Sequence, residues 1–159
     1  KENIKKSLRQ TGKDNEAKDG MDMALCILDT EKMQMEFSGA FNSLLLIRDN
    51  QIIKYDADRM PVGIYVKDRG SFTNHIIDMK KGDNYYIFSD GYIDQFGGEK
   101  GTKLMTKRFK ELLLKNHQKP AEEQKKELED FLNYWQSFKN EDGEPHRQLD
   151  DILVIGIKI

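Results

Sequence analysis

Two pairs of residues that could bind a cation stand at the boundaries of apolar segments. Asp90 and Gly91 follow Tyr-Tyr-Ile-Phe-Ser, and Asp150 and Asp151 precede Ile-Leu-Val-Ile-Gly-Ile. Hard cations such as Mg²⁺ and Mn²⁺ take oxygen ligands from a few carboxylates and keep several waters. An apolar strand beside each carboxylate would hold it rigidly, and glycine would let the backbone approach a ligand closely. The pattern is therefore compatible with a divalent-cation site.

The same residues are also typical of turns. Asp-Gly is a common turn dipeptide, and Asp-Asp is common in solvated loops. The two pairs lie far apart in the sequence, and nothing local shows that they converge. Spacing alone leaves both interpretations open.

Residues 39–42, Gly-Ala-Phe-Asn, are a second candidate site. The small residues, Gly39 among them, could cradle a ligand, and Asn42 could supply a polar contact. A hairpin connection between two strands explains the segment equally well. Neither a nucleophile elbow nor a phosphate-binding loop is present, and no metal-ligand spacing relates the three histidines, His75, His117 and His146.

Composition limits the class of protein. The 159 residues carry a net charge of −2, with both signs interspersed, so no basic surface for nucleic acid is expected. The single cysteine, Cys26, excludes a disulfide framework and favours a reducing compartment. No apolar run approaches the roughly 20 residues that span a bilayer, and no signal peptide is evident. Because the chain opens without Met inside a helical pattern, we expect a fragment of a longer protein.

The elements that would position the candidate residues follow from hydrophobic periodicity. Ile4 and Leu8 predict a helix at the start, followed by a polar loop over residues 11–20. Two helices are predicted over 102–116, with Thr102 as N-cap, and over 121–139. Strands are predicted over 21–29, 32–39, 43–49, 51–56, 72–80, 85–90 and 151–159. This order predicts one α+β domain over residues 1–159, with antiparallel sheets packed against helices.

Taken in order, four segments resemble the motifs of bacterial PP2C-like (PPM) serine/threonine phosphatases of the SpoIIE/RsbU type. They are DGMDMALCILD, FSGAFNSLLLIRDN, GDNYYIFSDGYIDQFGG and LDDILVIGIKI, with MPVGI between the second and third. The resemblance extends from about Lys5 to Ile159. It implies a PP2C-like β-sandwich whose N-terminal part is missing, similar to the phosphatase domains at the C-termini of large bacterial sensor proteins.

The resemblance also implies roles for individual residues. Asp90 matches a metal ligand at the end of a strand, and Asp150 matches a second one, with its neighbour Asp151 as the alternative. Gly91, Gly39 and Asn42 would lie near the site. Two Mn²⁺ or Mg²⁺ ions would activate a bridging water that attacks phosphorus in line, without a phosphoenzyme.

One departure from the family pattern affects the expected activity. Two further acidic positions that bind metal upstream in the family have no counterpart here, and Asp19-Gly20 is not a substitute. We therefore expect weak metal binding and little or no hydrolysis by this chain alone. Missing strands would expose sheet edges, which a homodimer would cover.

The resemblance implies a phosphatase that acts on phosphoserine or phosphothreonine of a regulatory protein in bacterial signalling. An upstream sensor domain in the same parent chain is expected, with a cytoplasmic location, either free or as part of a membrane-anchored sensor. One alternative is a non-catalytic, phosphatase-like interaction module. Another is an unrelated α+β binding domain whose Asp-Gly and Asp-Asp turns occur by chance.

Overall fold

The computed structural model describes residues 2–7, 20–65 and 70–159. The helices are α1 Glu2–Ser7, α2 Gly91–Asp94, α3 Met105–Asn116 and α4 Ala121–Gln136. The strands are β1 Gly20–Met21, β2 Met23–Asp29, β3 Gln34–Ala40, β4 Leu44–Arg48, β5 Gln51–Tyr55, β6 Val62–Gly63, β7 His75–Asp78, β8 Asn84–Phe88, β9 Phe96–Gly97, β10 Thr102–Lys103 and β11 Val154–Lys158. The α+β class is thus confirmed. Leu8 of the predicted first helix and most of the predicted loop, residues 11–19, lie outside the described residues.

The chain forms two compact units. One comprises Lys1–Leu44 and Lys54–Lys80, and the other comprises Leu45–Ile53 and Lys81–Ile159. Within the described residues, no helix is both long and apolar enough to cross a membrane. That residues 1–159 form a single domain stays a prediction.

The first unit contains a three-stranded antiparallel sheet in the order β2-β3-β7. Alternation along β3 places Met35 and Phe37 on a fully buried face, together with Ile77 of β7. The opposite face leaves the apolar side chains of Leu25, Ile27 and Ile76 exposed. The short strands β1 and β6 pair separately.

The second unit contains a sheet in the order β11-β8-β4-β5, in which β8 pairs antiparallel with both β4 and β11. The hairpin between β4 and β5 turns at Asp49 and Asn50, whose φ values of 51° and 58° are those that a tight hairpin requires. Helices α3 and α4 contribute to the core of this unit, whose buried members are Leu45, Ile47, Tyr86, Tyr92, Leu104, Phe109, Leu113 and Trp135. The helical periodicity of residues 102–139 therefore reflects a packed core.

The structure corrects two helix boundaries. Thr102 is not an N-cap: it pairs with Gly97 in β10, and the chain stays out of the helix until Met105. A main-chain hydrogen bond from Leu104 to the Gln95 carbonyl, 3.0 Å long, holds the residue before the helix. Helix α4 ends at Gln136, three residues before the predicted end.

The segment 39–42 is not a hairpin connection, because β3 and β4 belong to different sheets. Phe41 adopts a φ of 59°. Its N–H donates to the Asp58 carbonyl at 3.0 Å, and Asp58 N–H donates to the Gly39 carbonyl at the same distance. These bonds turn the chain out of the first sheet after β3.

Candidate metal site at the junction of β8 and β11

The pairing of β8 with β11 brings the two candidate carboxylate segments to the same end of one sheet. Val154, the first residue of β11, lies opposite Phe88, the last residue of β8. Because the strands are antiparallel, the residues that follow Phe88 lie beside those that precede Val154. The convergence that spacing left open is therefore present in the structure.

Ser89 connects the two segments just beyond the regular strand pairing. Its N–H donates to the Leu153 carbonyl at 3.0 Å. Its hydroxyl donates to the Asp151 carbonyl at 2.9 Å and accepts from the Leu153 N–H at 3.0 Å. Sequence reasoning did not single out this residue. The available signal was a hydroxyl side chain directly before Asp90 at the end of an apolar strand.

Gly91 contacts the same segment from the other side. A Cβ on Gly91 would lie 2.9 Å from the carbonyl carbon of Asp151, closer still to its carbonyl oxygen, and 3.2 Å from Cγ1 of Ile152. Glycine at position 91 therefore allows two stretches of main chain to approach each other closely. The sequence alone suggests instead that the glycine lets a ligand approach the backbone.

Asp90 presents its carboxylate to solvent at the start of α2. It is the N-cap residue, with φ −71° and ψ −19°, and its carbonyl accepts from the Asp94 N–H at 2.9 Å. Its side chain caps no helix N–H. An exposed carboxylate on the short connection between β8 and α2 is available to an external cation.

Asp150 and Asp151 are both exposed but differ in their local bonding. One carboxylate oxygen of Asp150 accepts from the Asp151 N–H at 2.7 Å, which orients the Asp150 side chain. The Asp150 carbonyl accepts from Gln148 Nε2 at 2.8 Å. Asp151 is held through its main chain, by Ser89 and Gly91.

Gln95 ties the loop before Asp150 to the segment after α2. It is only 2% exposed, and its Nε2 donates to the Arg147 carbonyl at 2.9 Å and to the Phe96 carbonyl at 3.0 Å. The Gln95 carbonyl accepts from Trp135 Nε1 at 3.1 Å. The side-chain oxygen of Gln95 is buried without a partner among the described residues. Local sequence patterns did not identify Gln95, because its partners Trp135 and Arg147 are distant from it in sequence.

Gly39 and Asn42 belong to the other compact unit. A Cβ on Gly39 would lie 2.7 Å from the Cβ of Ala57 and 2.9 Å from the ring of Phe37, so the glycine serves close packing within that unit. Asn42 is half-buried, and its N–H donates to the Ala40 carbonyl at 2.7 Å. A role for these two residues in a site stays a prediction.

The three histidines occupy separate surroundings. His75 stacks on Phe37, with ring centroids 5.8 Å apart, and His117 donates from Nδ1 to the Leu114 carbonyl at 2.7 Å. Burial raises the pKa of the Cys26 thiol, which favours the unreactive form. The positions of His75, His117 and Cys26 agree with structural roles.

The candidate site offers oxygen donors, which are the type that a hard cation prefers. The number of these donors is small. Asp90, Asp150 and Asp151 offer carboxylate oxygens, which are the ligands that Mg²⁺ and Mn²⁺ prefer. In the described ranges, no three or more His, Cys, Asp or Glu side chains are grouped closely enough to hold a metal ion. These residues fit a cation that keeps most of its waters or takes additional ligands from elsewhere.

The sequence model of the family described as Stage II sporulation protein E (SpoIIE) matches residues 2–159. The chain belongs to the SpoIIE family. No curated protein shows significant sequence similarity to this SpoIIE-family chain.

Solved structures of PP2C phosphatase domains resemble this SpoIIE-family chain. The SiaA-PP2C domain of Pseudomonas aeruginosa is 27% identical with a TM-score of 0.74, over 87% of this chain and 51% of that one. The phosphatase domain of SpoIIE from Bacillus subtilis, presoaked with Mn, is 18% identical with a TM-score of 0.62, over 99% of this chain and 70% of that one. The RsbU and RsbW domains of a Mycobacterium tuberculosis protein are 14% identical with a TM-score of 0.66, over 98% of this chain and 39% of that one. The PP2C-like fold is thus confirmed, and the chain spans about half the length of the SiaA domain that it matches.

Proposed function

We propose that this SpoIIE-family chain contributes part of the active site of a metal-dependent protein serine/threonine phosphatase. The observation that carries the proposal is the pairing of β8 with β11, which brings Asp90 and the Asp150-Asp151 pair to one end of a sheet. Membership of the SpoIIE family supports the reaction class.

Asp90 and Asp150 are the residues proposed to hold the metal. The Asp150 carboxylate is oriented by the Asp151 N–H at 2.7 Å, and ligating carboxylates are typically hydrogen-bonded in this way. Asp151 is the alternative ligand, since its exposed carboxylate lies next in the chain.

The metal proposed is Mn²⁺ or Mg²⁺, with two ions in the intact domain. When bound, such ions lower the pKa of a coordinated water and neutralise charge on phosphate. The contribution of this chain is to hold oxygen donors at a rigid sheet end, where β8 and β11 limit their movement. The Mn presoak of the Bacillus subtilis SpoIIE domain supports the choice of Mn²⁺ for a first test.

The substrate proposed is a phosphoserine or phosphothreonine on a regulatory protein of bacterial signalling, with control by a sensor domain of the same parent chain. A cytoplasmic location, free or attached to a membrane-anchored sensor, follows from that role. A net charge of −2 gives no support for a nucleic-acid partner.

A homodimer is also proposed, because each of the two larger sheets of the described residues ends in a strand with exposed apolar residues in it or beside it. β2 is an edge strand with Leu25 and Ile27 exposed, and β11 is an edge strand next to the exposed Leu153. Exposed edges of this kind readily pair with another chain.

The second candidate function is a non-catalytic, phosphatase-like interaction module. The observation that favours it is the small donor set, since no group of three or more ligand side chains occurs in the described part of the chain. A module without turnover would keep the PP2C-like fold and bind its partner without hydrolysis.

The test compares Mn²⁺-dependent hydrolysis of an aryl phosphate by these 159 residues and by a longer chain extended upstream. In the active form, Asp90→Asn and Asp150→Asn should each lower turnover by orders of magnitude, because each removes a negatively charged ligand. Asp151→Asn should lower it less. Asp142→Asn, an exposed Asp in the loop before His146, is the matched control and should leave turnover unchanged. Normal turnover in Asp90→Asn would contradict the proposal, and inactivity of both chain lengths would favour the non-catalytic module.

A further inference from the structure

The hydroxyl of Ser89 bridges the two segments that carry the candidate metal ligands. It donates to the Asp151 carbonyl at 2.9 Å and accepts from the Leu153 N–H at 3.0 Å. We propose that Ser89 is a positioning residue, which sets the place of the Asp150-Asp151 segment relative to Asp90. This inference rests on the proposed function, because it assigns a role at the same site.

The bridge lies where regular strand pairing has ended. The last paired residues are Phe88 and Val154. Beyond them, one main-chain bond remains, from Ser89 N–H to the Leu153 carbonyl at 3.0 Å. The hydroxyl adds two more bonds and extends the connection as far as Asp151. If the hydroxyl were removed, the Asp151 main chain would lose its hydrogen bond to Ser89. Its packing contact with Gly91 would remain.

The surroundings of Ser89 predict that a Ser89→Ala variant loses little stability but binds metal more weakly. Ser89 is half-buried and Leu153 is 57% exposed, so water can replace much of the lost hydrogen bonding in a Ser89→Ala variant. The global stability should therefore change little. The position of the Asp150-Asp151 segment should become less defined, and loss of a group that orients a metal ligand typically weakens metal binding by 10- to 100-fold.

The experiment uses paramagnetic broadening of amide NMR signals by Mn²⁺, which detects weak binding to the 159-residue chain without any need for turnover. In the wild-type chain, amides of residues 89–92 and 150–153 should broaden together. Ser89→Ala should raise the Mn²⁺ concentration for half-maximal broadening by roughly tenfold. Its effect should be larger for residues 150–153 than for residues 89–92.

Two variants serve as controls. Ser89→Thr keeps the hydroxyl and should behave as wild type. Ser137→Ala removes another hydroxyl-to-carbonyl bond, 2.8 Å long, at the end of α4 and should not change Mn²⁺ binding. If Ser89→Ala does not fold, Ser89→Cys keeps the size of the side chain with a weaker hydrogen-bonding group, and it should also weaken Mn²⁺ binding.

Hydrogen exchange gives a readout that is independent of the metal. The Leu153 amide donates to the Ser89 hydroxyl, so its exchange should be about tenfold faster in Ser89→Ala, as expected for the loss of a bond worth about 1.4 kcal/mol. Unchanged exchange would overturn the bridge itself.

The outcomes separate the two proposals. If Asp90→Asn abolishes the broadening and Ser89→Ala leaves it unchanged, the positioning role of Ser89 is overturned and the metal site stands. If Asp90→Asn leaves the broadening unchanged, the proposed metal site is overturned, and the role of Ser89 falls with it.

Discussion

Gly91 packs directly against the main chain of Asp151. A Cβ at position 91 would lie 2.9 Å from the Asp151 carbonyl carbon, which is closer than real Cβ atoms approach other heavy atoms. The neighbour is backbone, so it cannot move aside as a flexible side chain would. This contact limits how the start of α2, with Asp90, can be placed relative to the Asp150-Asp151 segment.

Gly91→Ala should disturb this junction. We expect the free energy of unfolding to fall by about 1–3 kcal/mol, as in other overpacked sites, and Mn²⁺ binding to weaken because Asp151 must shift. Urea unfolding and Mn²⁺ titration measure the two effects. Gly156→Ala in β11 is the matched control, since its Cβ would lie 3.3 Å from a Tyr86 ring carbon and should cost less. Wild-type stability in Gly91→Ala would show that the contact is not restrictive.

Asp83→Asn should destabilise the second unit without touching the candidate site. Arg48 binds both Asp83 oxygens, at 2.8 Å and 2.6 Å, and the Tyr85 hydroxyl donates to Asp83 at 2.8 Å. The Asp83 side chain is 1% exposed. Removing its charge takes this carboxylate partner away from the Arg48 guanidinium, whose side chain is 19% exposed, and should lower the free energy of unfolding, measured in urea, by about 3 kcal/mol.

The control for this prediction is Glu127→Gln. Glu127 pairs with Lys119 at 2.6 Å, but their side chains are 43% and 36% exposed. Water screens such a pair, so the loss should stay below about 1 kcal/mol. Equal losses of unfolding free energy in Asp83→Asn and Glu127→Gln would show that burial does not make the Arg48–Asp83 pair more stabilising than an exposed pair.

Alkaline pH should destabilise the chain through its buried tyrosines. Burial raises the pKa of Tyr86 to about 12, and burial also raises the pKa of Tyr92. An unfolded tyrosine has a pKa of about 10. The contribution to stability is therefore complete below about pH 10 and is lost as pH rises through the folded value of about 12.

This pH effect is measured by the free energy of unfolding at increasing pH, with tyrosinate absorbance as the reporter of ionisation. Tyr86→Phe should show a smaller alkaline loss, although it also gives up the hydrogen bond from Tyr86 to Gln124, 2.7 Å long. If all tyrosines of the folded chain ionised near pH 10, the prediction would be wrong.

Local sequence patterns correctly predicted most of the helices and strands of this fold. The apolar runs on either side of Asp49-Asn50 gave two predicted strands, 43–49 and 51–56, and the structure shows both turn residues with the positive φ that a tight hairpin needs. Helical spacing of apolar residues correctly predicted α3 and α4, because that spacing is what buries one helix face. Thr102 was assigned wrongly, since the bond from Leu104 to Gln95 that delays the helix joins residues that no local pattern relates.

The sequence by itself determined the order of the longer strands and helices, the class of fold and the oxygen-rich chemistry of Asp90, Asp150 and Asp151, but not the short elements β6, α2, β9 and β10. The tertiary structure decided that the segments carrying these residues lie side by side, through the pairing of β8 with β11, and it revealed Ser89 and Gly91 as contacts of the Asp151 main chain. The reason is physical. The hydrophobic periodicity of a segment indicates which of its side chains face the core. The register of two strands distant in sequence depends on the packing of the whole sheet.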